Sequence, residues 1–191
     1  MHRILTVLAP LTPLYVLWGV WAASWLLAGL TAAPAARRPG GGAERMAVLL
    51  VYAGFGLLFI PVLGAALWTP RGWIYGALVG LTAAAFTFCW WARLHLGALW
   101  SFRTTAKAGH HVVDTGPYAL VRHPIYTGIL AAALATAMVF GHLSNLLGVG
   151  VLAAAFWLKA AVEERFLSET LGADAYAAYA RRVRRLIPYI L

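Results

Sequence analysis

Five apolar runs, each close to the length of a membrane-spanning helix, dominate this chain and narrow what it can fold into. A hydrocarbon core of about 30 Å takes roughly 20 helical residues to cross, and the runs cover residues 4–30, 46–68, 73–91, 124–141 and 143–162. With 62% hydrophobic and 11% charged residues among 191, the chain holds more apolar side chain than one soluble core of this size buries. The sequence therefore predicts an all-α, polytopic integral membrane protein with about five transmembrane helices and a C-terminal amphipathic cytoplasmic segment beyond residue 162. A single membrane domain accounts for residues 1–191, with 1–92 supplying the first three spans and 93–191 the last two and the tail. The first run has no short apolar region ending at a small-residue cleavage site, so it is expected to remain as an anchor.

Charge gives the orientation. A net charge of +9 raises the possibility of nucleic acid, but the basic residues flank apolar spans and form no long stripe, which argues against that partner. With five spans, thirteen of the fifteen Lys and Arg residues fall on one side, leaving only Arg3 and Arg71 opposite. The positive-inside rule then sets the N-terminus outside and the C-terminus in the cytoplasm, in the cell (inner) membrane. Arg181, Arg182, Arg184 and Arg185 are expected to meet anionic lipid headgroups. The TPRG turn at 69–72 suggests a hairpin of spans two and three, and GHLSN at 141–145 a hairpin of spans four and five. Gly76, Gly80, Ala84, Gly128 and Ala132 stand at helical spacing that lets helices approach closely. Trp68, Trp73, Trp90, Trp91 and Trp100 sit near span ends, as aromatic belts do. Cys89 has no disulfide partner and reads as a small core residue. No histidine pair with a carboxylate stands at metal-ligand spacing, so no metal is expected.

Chemistry concentrates in GPYALVRHPIYTGIL, residues 116–130. Proline is tolerated at the first helical position, so Pro124 marks the start of span four. Arg122 and His123 then lie at a helix N-terminus, which carries unpaired N–H groups and a positive partial charge and readily binds anions. A guanidinium adds bidentate capacity. Tyr118 and Tyr126 are near enough to add a hydroxyl or an aromatic wall, and Gly116 and Pro117 bend the chain. The plainer reading makes Arg122 a topological anchor and His123 a helix cap. Glu163 and Glu164 follow span five, where carboxylates are costly unless paired or used; Lys159, four residues earlier, offers one of them a helix-surface pair. A hairpin of spans four and five would bring both glutamates to Arg122 and His123. Such a cleft suits a zwitterionic or cationic ligand.

The run HHVVDTGPYALVRHPIYTG, followed by EE, LG, paired tyrosines and a basic stretch ending in IP, resembles the isoprenylcysteine carboxyl methyltransferases and the related phospholipid methyltransferases of membranes. The segment WARLHLGALWS is similar to one found in bacterial members. The resemblance covers residues 91–191. It implies an enzyme dependent on S-adenosylmethionine, with residues 93–191 as the cofactor-binding half. His110, Gly116, Pro117, Tyr118, Arg122, His123, Pro124, Tyr126, Glu163 and Glu164 carry over as cofactor-site candidates. Arg122, Glu163 and Glu164 are the catalytic candidates, while Arg93, His95 and Trp100 are assigned to the acceptor side. The implied acceptor is a lipophilic or membrane-associated molecule, foremost an isoprenylcysteine-like carboxylate. N-methylation of a phospholipid and S-methylation of a small thiol are the alternatives.

Methyl transfer is an in-line displacement that rewards positioning. A carboxylate nucleophile needs only a cation such as Arg122 or Arg93 to orient it. A thiol or amine must lose a proton, for which His95, His110, His111 or a glutamate are candidates. The absence of a G-x-G-x-x-G after a strand agrees with a non-Rossmann site. A transporter or structural membrane protein is the contrasting class, but transporters carry ionisable residues at mid-membrane, whereas here the charges lie at the rim. A C-terminal PYIL gives no prenylation signal, so the chain is expected to be a modifier of lipidated molecules.

Overall fold

The computed structural model describes residues 11–30, 41–60, 65–100, 112–188 and 190, and among them every regular element is helical. Six α-helices follow in order: α1 (Thr12–Gly29), α2 (Gly42–Phe59), α3 (Gly72–Leu96), α4 (Pro124–Phe140), α5 (Leu143–Leu171) and α6 (Ala173–Arg182). Two 3₁₀ turns, Gly97–Leu99 and Gly116–Ala119, and an isolated parallel bridge between Val121 and Arg184 complete the regular structure. Among the described residues three helices are long and apolar enough to cross a membrane: Gly42–Phe59, Gly72–Leu96 and Leu143–Thr170. α4 is apolar but shorter, at 17 residues.

Several boundaries differ from the sequence reading. The second helix starts before Met46 and ends at Phe59, so Trp68 lies outside it. The third continues past Trp91, placing Arg93 and His95 in its last turn. The fifth does not stop at residue 162. It runs unbroken to Leu171, so Glu163 and Glu164 are helical residues rather than the start of a separate tail segment. The Lys159–Glu163 pair supports that continuity, with Nζ 3.1 Å from Oε1.

Pairing is also different. α2 lies along α5 and α3 along α4, so the second and third helices pack chiefly on other partners and do not form the tight hairpin expected of a short turn. Glycine explains the choice. A Cβ on Gly54 would come within 2.6 Å of Leu152 Cγ, and one on Gly148 within 2.7 Å of the Leu58 nitrogen. Only bare backbone permits this approach of α2 to α5. Gly128 likewise faces Cys89 and Ala85 across the α3–α4 seam, whereas Gly76 and Gly80 face open space and hold nothing together. The α4–α5 turn closes at Gly141, whose positive φ of 77° suits glycine. Asn145 then accepts the His142 N–H at 3.0 Å and donates to Leu58 O at 2.7 Å, tying that end to α2.

An aromatic cluster fills the centre. Trp18 meets Phe86 edge-on at 4.8 Å, Trp21 stacks on Phe86 at 5.0 Å, and Trp25 contacts Trp90 and Trp100. The buried Trp18 indole donates to Thr136 Oγ1 at 2.9 Å, joining α1 to α4. Trp100 is therefore core, while Trp73 and Trp91 remain exposed as span-end residues do.

Candidate functional site

The mouth of α4 is built by three segments: the turn that precedes it, its own first residues and the distant tail after α6. Gly116 opens the first with φ 57°, and a Cβ there would strike the His95 ring at 2.7 Å. The 3₁₀ turn that follows buries Pro117 and Tyr118 and delivers the chain to Arg122. Pro124 begins α4 as its first helical residue, with His123 in the cap position but making no side-chain cap bond. The third segment is the tail after α6. Its backbone runs beside residues 121–123, so the Arg122 N–H donates to Arg184 O at 2.7 Å and the His123 N–H to Arg185 O at 3.1 Å. Thr127 Oγ1 adds a bond to Leu186 O at 2.6 Å.

The amides of Arg122 and His123 are satisfied by the protein's own carbonyls. What the helix leaves over are the first-turn N–H groups at Ile125 and Tyr126, which have no intrahelical acceptor.

Two carboxylates from α5 face this mouth with different surroundings. Glu164 is saturated. It accepts from Arg122 Nε at 2.9 Å, from Arg185 Nη2 at 2.6 Å and from His123 Nε2 at 3.0 Å. Arg122 itself is locked, since Nη1 donates to the carbonyls of Ala180 and Val183. Glu163 accepts from the Tyr126 hydroxyl at 2.7 Å and from Lys159, and its Oε2 stands 3.4 Å from His123 Nδ1. The His123 ring stacks on Tyr126 with centroids 5.3 Å apart, and Tyr126 stacks in turn on Phe156 at 4.7 Å.

A neutral imidazole donates from only one nitrogen, and here both nitrogens face carboxylates. Burial pulls the His123 pKa down, but the bonds and charges of Glu163 and Glu164 outweigh it and raise it above the ordinary value. The ring therefore favours the imidazolium form. Burial, with the Glu163 charge adding to it, holds the Tyr118 phenol well above its usual range, so it stays protonated.

The remaining candidates sit beyond this cluster. His95 Nε2 lies 2.8 Å from Thr115 Oγ1, and its ring stacks near Tyr118 at 6.4 Å. Arg93 is buried. It donates from Nη1 to Gly97 O and from Nη2 to Ala28 O, lies 4.1 Å over the Trp100 ring, and keeps a buried Nε with no partner among the described residues. His110 and His111 lie outside the described residues. Among those described, no three His, Cys, Asp or Glu side chains are grouped to hold a metal ion. Arg185 joins the cluster although its sequence context marks it only as a lipid contact, and Tyr179, which donates to Tyr118 O at 2.8 Å, had no signal beyond belonging to a tyrosine pair.

Residues 78–169 match the Isoprenylcysteine carboxyl methyltransferase (ICMT) family. The Protein-S-isoprenylcysteine O-methyltransferase of Schizosaccharomyces pombe is 40% identical over 82 residues, which cover 42% of this chain and 34% of that protein. The likeness to the isoprenylcysteine carboxyl methyltransferase family thus extends over just under half of this chain. It spans about a third of the length of that curated relative. The ICMT match runs from within α3 to near the end of α5 and holds Arg122, His123, Tyr126, Glu163 and Glu164. Arg185 and the tail carbonyls that close the mouth lie beyond it, so the chain completes its cluster with residues outside the matched window.

Proposed function

We propose that this chain is a membrane methyltransferase that uses S-adenosylmethionine and acts at the cytoplasmic face on a lipophilic acceptor, foremost the carboxylate of an isoprenylcysteine-like group. The observation that carries the reading is the asymmetry of the two glutamates at the α4 mouth. Glu164 is consumed by Arg122, Arg185 and His123, whereas Glu163 keeps a less heavily cationic setting beside the first turn of α4. A carboxylate next to a helix N-terminus is a donor and acceptor set for an amino acid: Glu163 takes the ammonium, and the Ile125 and Tyr126 amides take the carboxylate. That is the chemistry of the methionine portion of the cofactor, so the residues fit it. Tyr118 offers a protonated hydroxyl and an aromatic wall. When bound, S-adenosylmethionine supplies a methyl group on a positively charged sulfur.

The chain's own residues have modest chemical work in this scheme. Glu164 with Arg122 and Arg185 fixes the mouth, and His123 holds Glu163 in place. The buried Nε of Arg93 provides a cation for orienting an acceptor carboxylate, and such an acceptor needs no general base. Five spans, with the 18-residue α1 and the 17-residue α4 crossing alongside the three longer helices, put the mouth on the side that bears thirteen of the fifteen basic residues.

Two measurements test the proposal. Calorimetric titration of S-adenosylhomocysteine into the detergent-purified chain is expected to give micromolar binding that Glu163→Gln abolishes; a folded wild type that fails to bind sinks it. Transfer of labelled methyl to S-farnesylcysteine is expected to give a base-labile product, since an ester releases methanol in alkali. Base-stable label would point to N- or S-methylation instead.

A further inference from the structure

Beside Arg122 and the tail lies an open groove of about 330 Å³, lined by Arg122, Trp157, Ala180, Arg184, Arg185 and Ile190. Its charges are unbalanced. Arg122 and Arg185 share the single carboxylate of Glu164, and Arg184 is exposed with no ion pair among the described residues. Its walls are apolar. Trp157 and Ile190 are 44% and 70% exposed, and the Arg185 guanidinium lies 4.4 Å over the Trp157 ring. Trp157 belongs to α5, one of the helices long and apolar enough to cross a membrane.

We propose that this groove binds an anionic phospholipid, with the phosphate between Arg184 and Arg185 and the first part of an acyl chain along Trp157 and Ile190. Guanidinium groups match phosphate oxygens bidentately, and tryptophan favours the headgroup level of a bilayer. A free phosphate would use the arginines but leave the exposed Trp157 and Ile190 wall without purpose, so the combined surface points to a lipid. Glu163 is not among the residues that line the groove, and the proposal does not depend on which reaction Glu163 serves. Through Arg185 it lies one guanidinium away from Glu164.

The test is native mass spectrometry of the detergent-purified chain offered equal amounts of phosphatidylglycerol and phosphatidylcholine with the same acyl chains. Phosphatidylglycerol is expected to be retained about ten-fold better. Arg184→Gln, at an exposed side chain with no ion pair among the described residues, is expected to weaken that retention about five-fold, as is Trp157→Leu, while Arg181→Gln, outside the groove, leaves it unchanged. Circular dichroism melting establishes that each variant is folded. Equal retention of the two lipids, undiminished retention by folded Arg184→Gln, or displacement of the lipid by millimolar inorganic phosphate overturns the assignment, the last by marking a free-anion site.

Discussion

His123 Nε2 stands 3.0 Å from Glu164 Oε1, and the same ring's other nitrogen faces Glu163 at 3.4 Å. One buried imidazole thus bridges adjacent carboxylates that would otherwise repel each other. A proton on each nitrogen turns two buried negative charges into a compensated group, together with Arg122, Arg185 and Lys159 from the mouth, the tail and α5.

Stability should consequently depend on pH in one direction. A histidine whose folded pKa is raised stabilises in full below its unfolded value, near 6.5, and loses that contribution as pH rises through the folded one. The thermal midpoint in detergent is expected to fall from pH 6.5 upward. His123→Asn should be less stable at pH 6 and show a flatter profile. A wild-type midpoint that rises over this range would contradict the bridging imidazolium.

The two glutamates should separate by assay. Glu164→Gln leaves two mostly buried guanidiniums without their carboxylate, a loss of about 3 kcal/mol or more by the usual cost of breaking a buried pair. Glu163→Gln should cost less in unfolding yet remove S-adenosylhomocysteine binding at least ten-fold. Parallel calorimetry and thermal melts check this, and a Glu163→Gln protein that binds normally would refute the division of labour.

Gly116 and Gly76 form a matched pair for substitution. Gly116→Ala places a Cβ at a positive φ against His95, with an expected cost of about 1–3 kcal/mol. Gly76→Ala meets nothing within 4 Å in mid-helix and is expected to be neutral or to gain up to about 1 kcal/mol. Denaturation of both variants in one detergent gives the comparison.

Thr136→Val removes the acceptor of the buried Trp18 indole while keeping the side chain's shape. An orphaned buried donor costs about 1–3 kcal/mol. The midpoint of thermal unfolding should drop, and α1 amides should exchange faster by hydrogen–deuterium exchange.

The helical class, the start of α4 at Pro124 and the meeting of Arg122 and His123 with Glu163 and Glu164 were legible because each rests on local chemistry or on a short connection. Proline at a first turn and a tight Gly141 turn leave few alternatives. What stayed hidden was set across long separations. Nothing local tells Gly54 and Gly148 from Gly76 and Gly80, since all four sit in apolar helices and only the partner helix distinguishes them. The burial of Trp100 was hidden for the same reason: a tryptophan near a span end looks alike whether it faces lipid or another ring. The tail carbonyls at Arg184 and Arg185 left no trace, because backbone acceptors carry no side-chain signature.

The strand-like docking of that tail also has a bearing on biogenesis. Arg122 is held by Val183, 61 positions later in the chain, and by the Arg184 carbonyl just after it. Until Glu164 of α5 has been made the arginine has only water or headgroups as partners, and its neighbouring amides wait longer still, for the tail carbonyls. The first four helices can thus be complete while the mouth is unfinished, and the mouth closes only in a late docking event once the tail has been made.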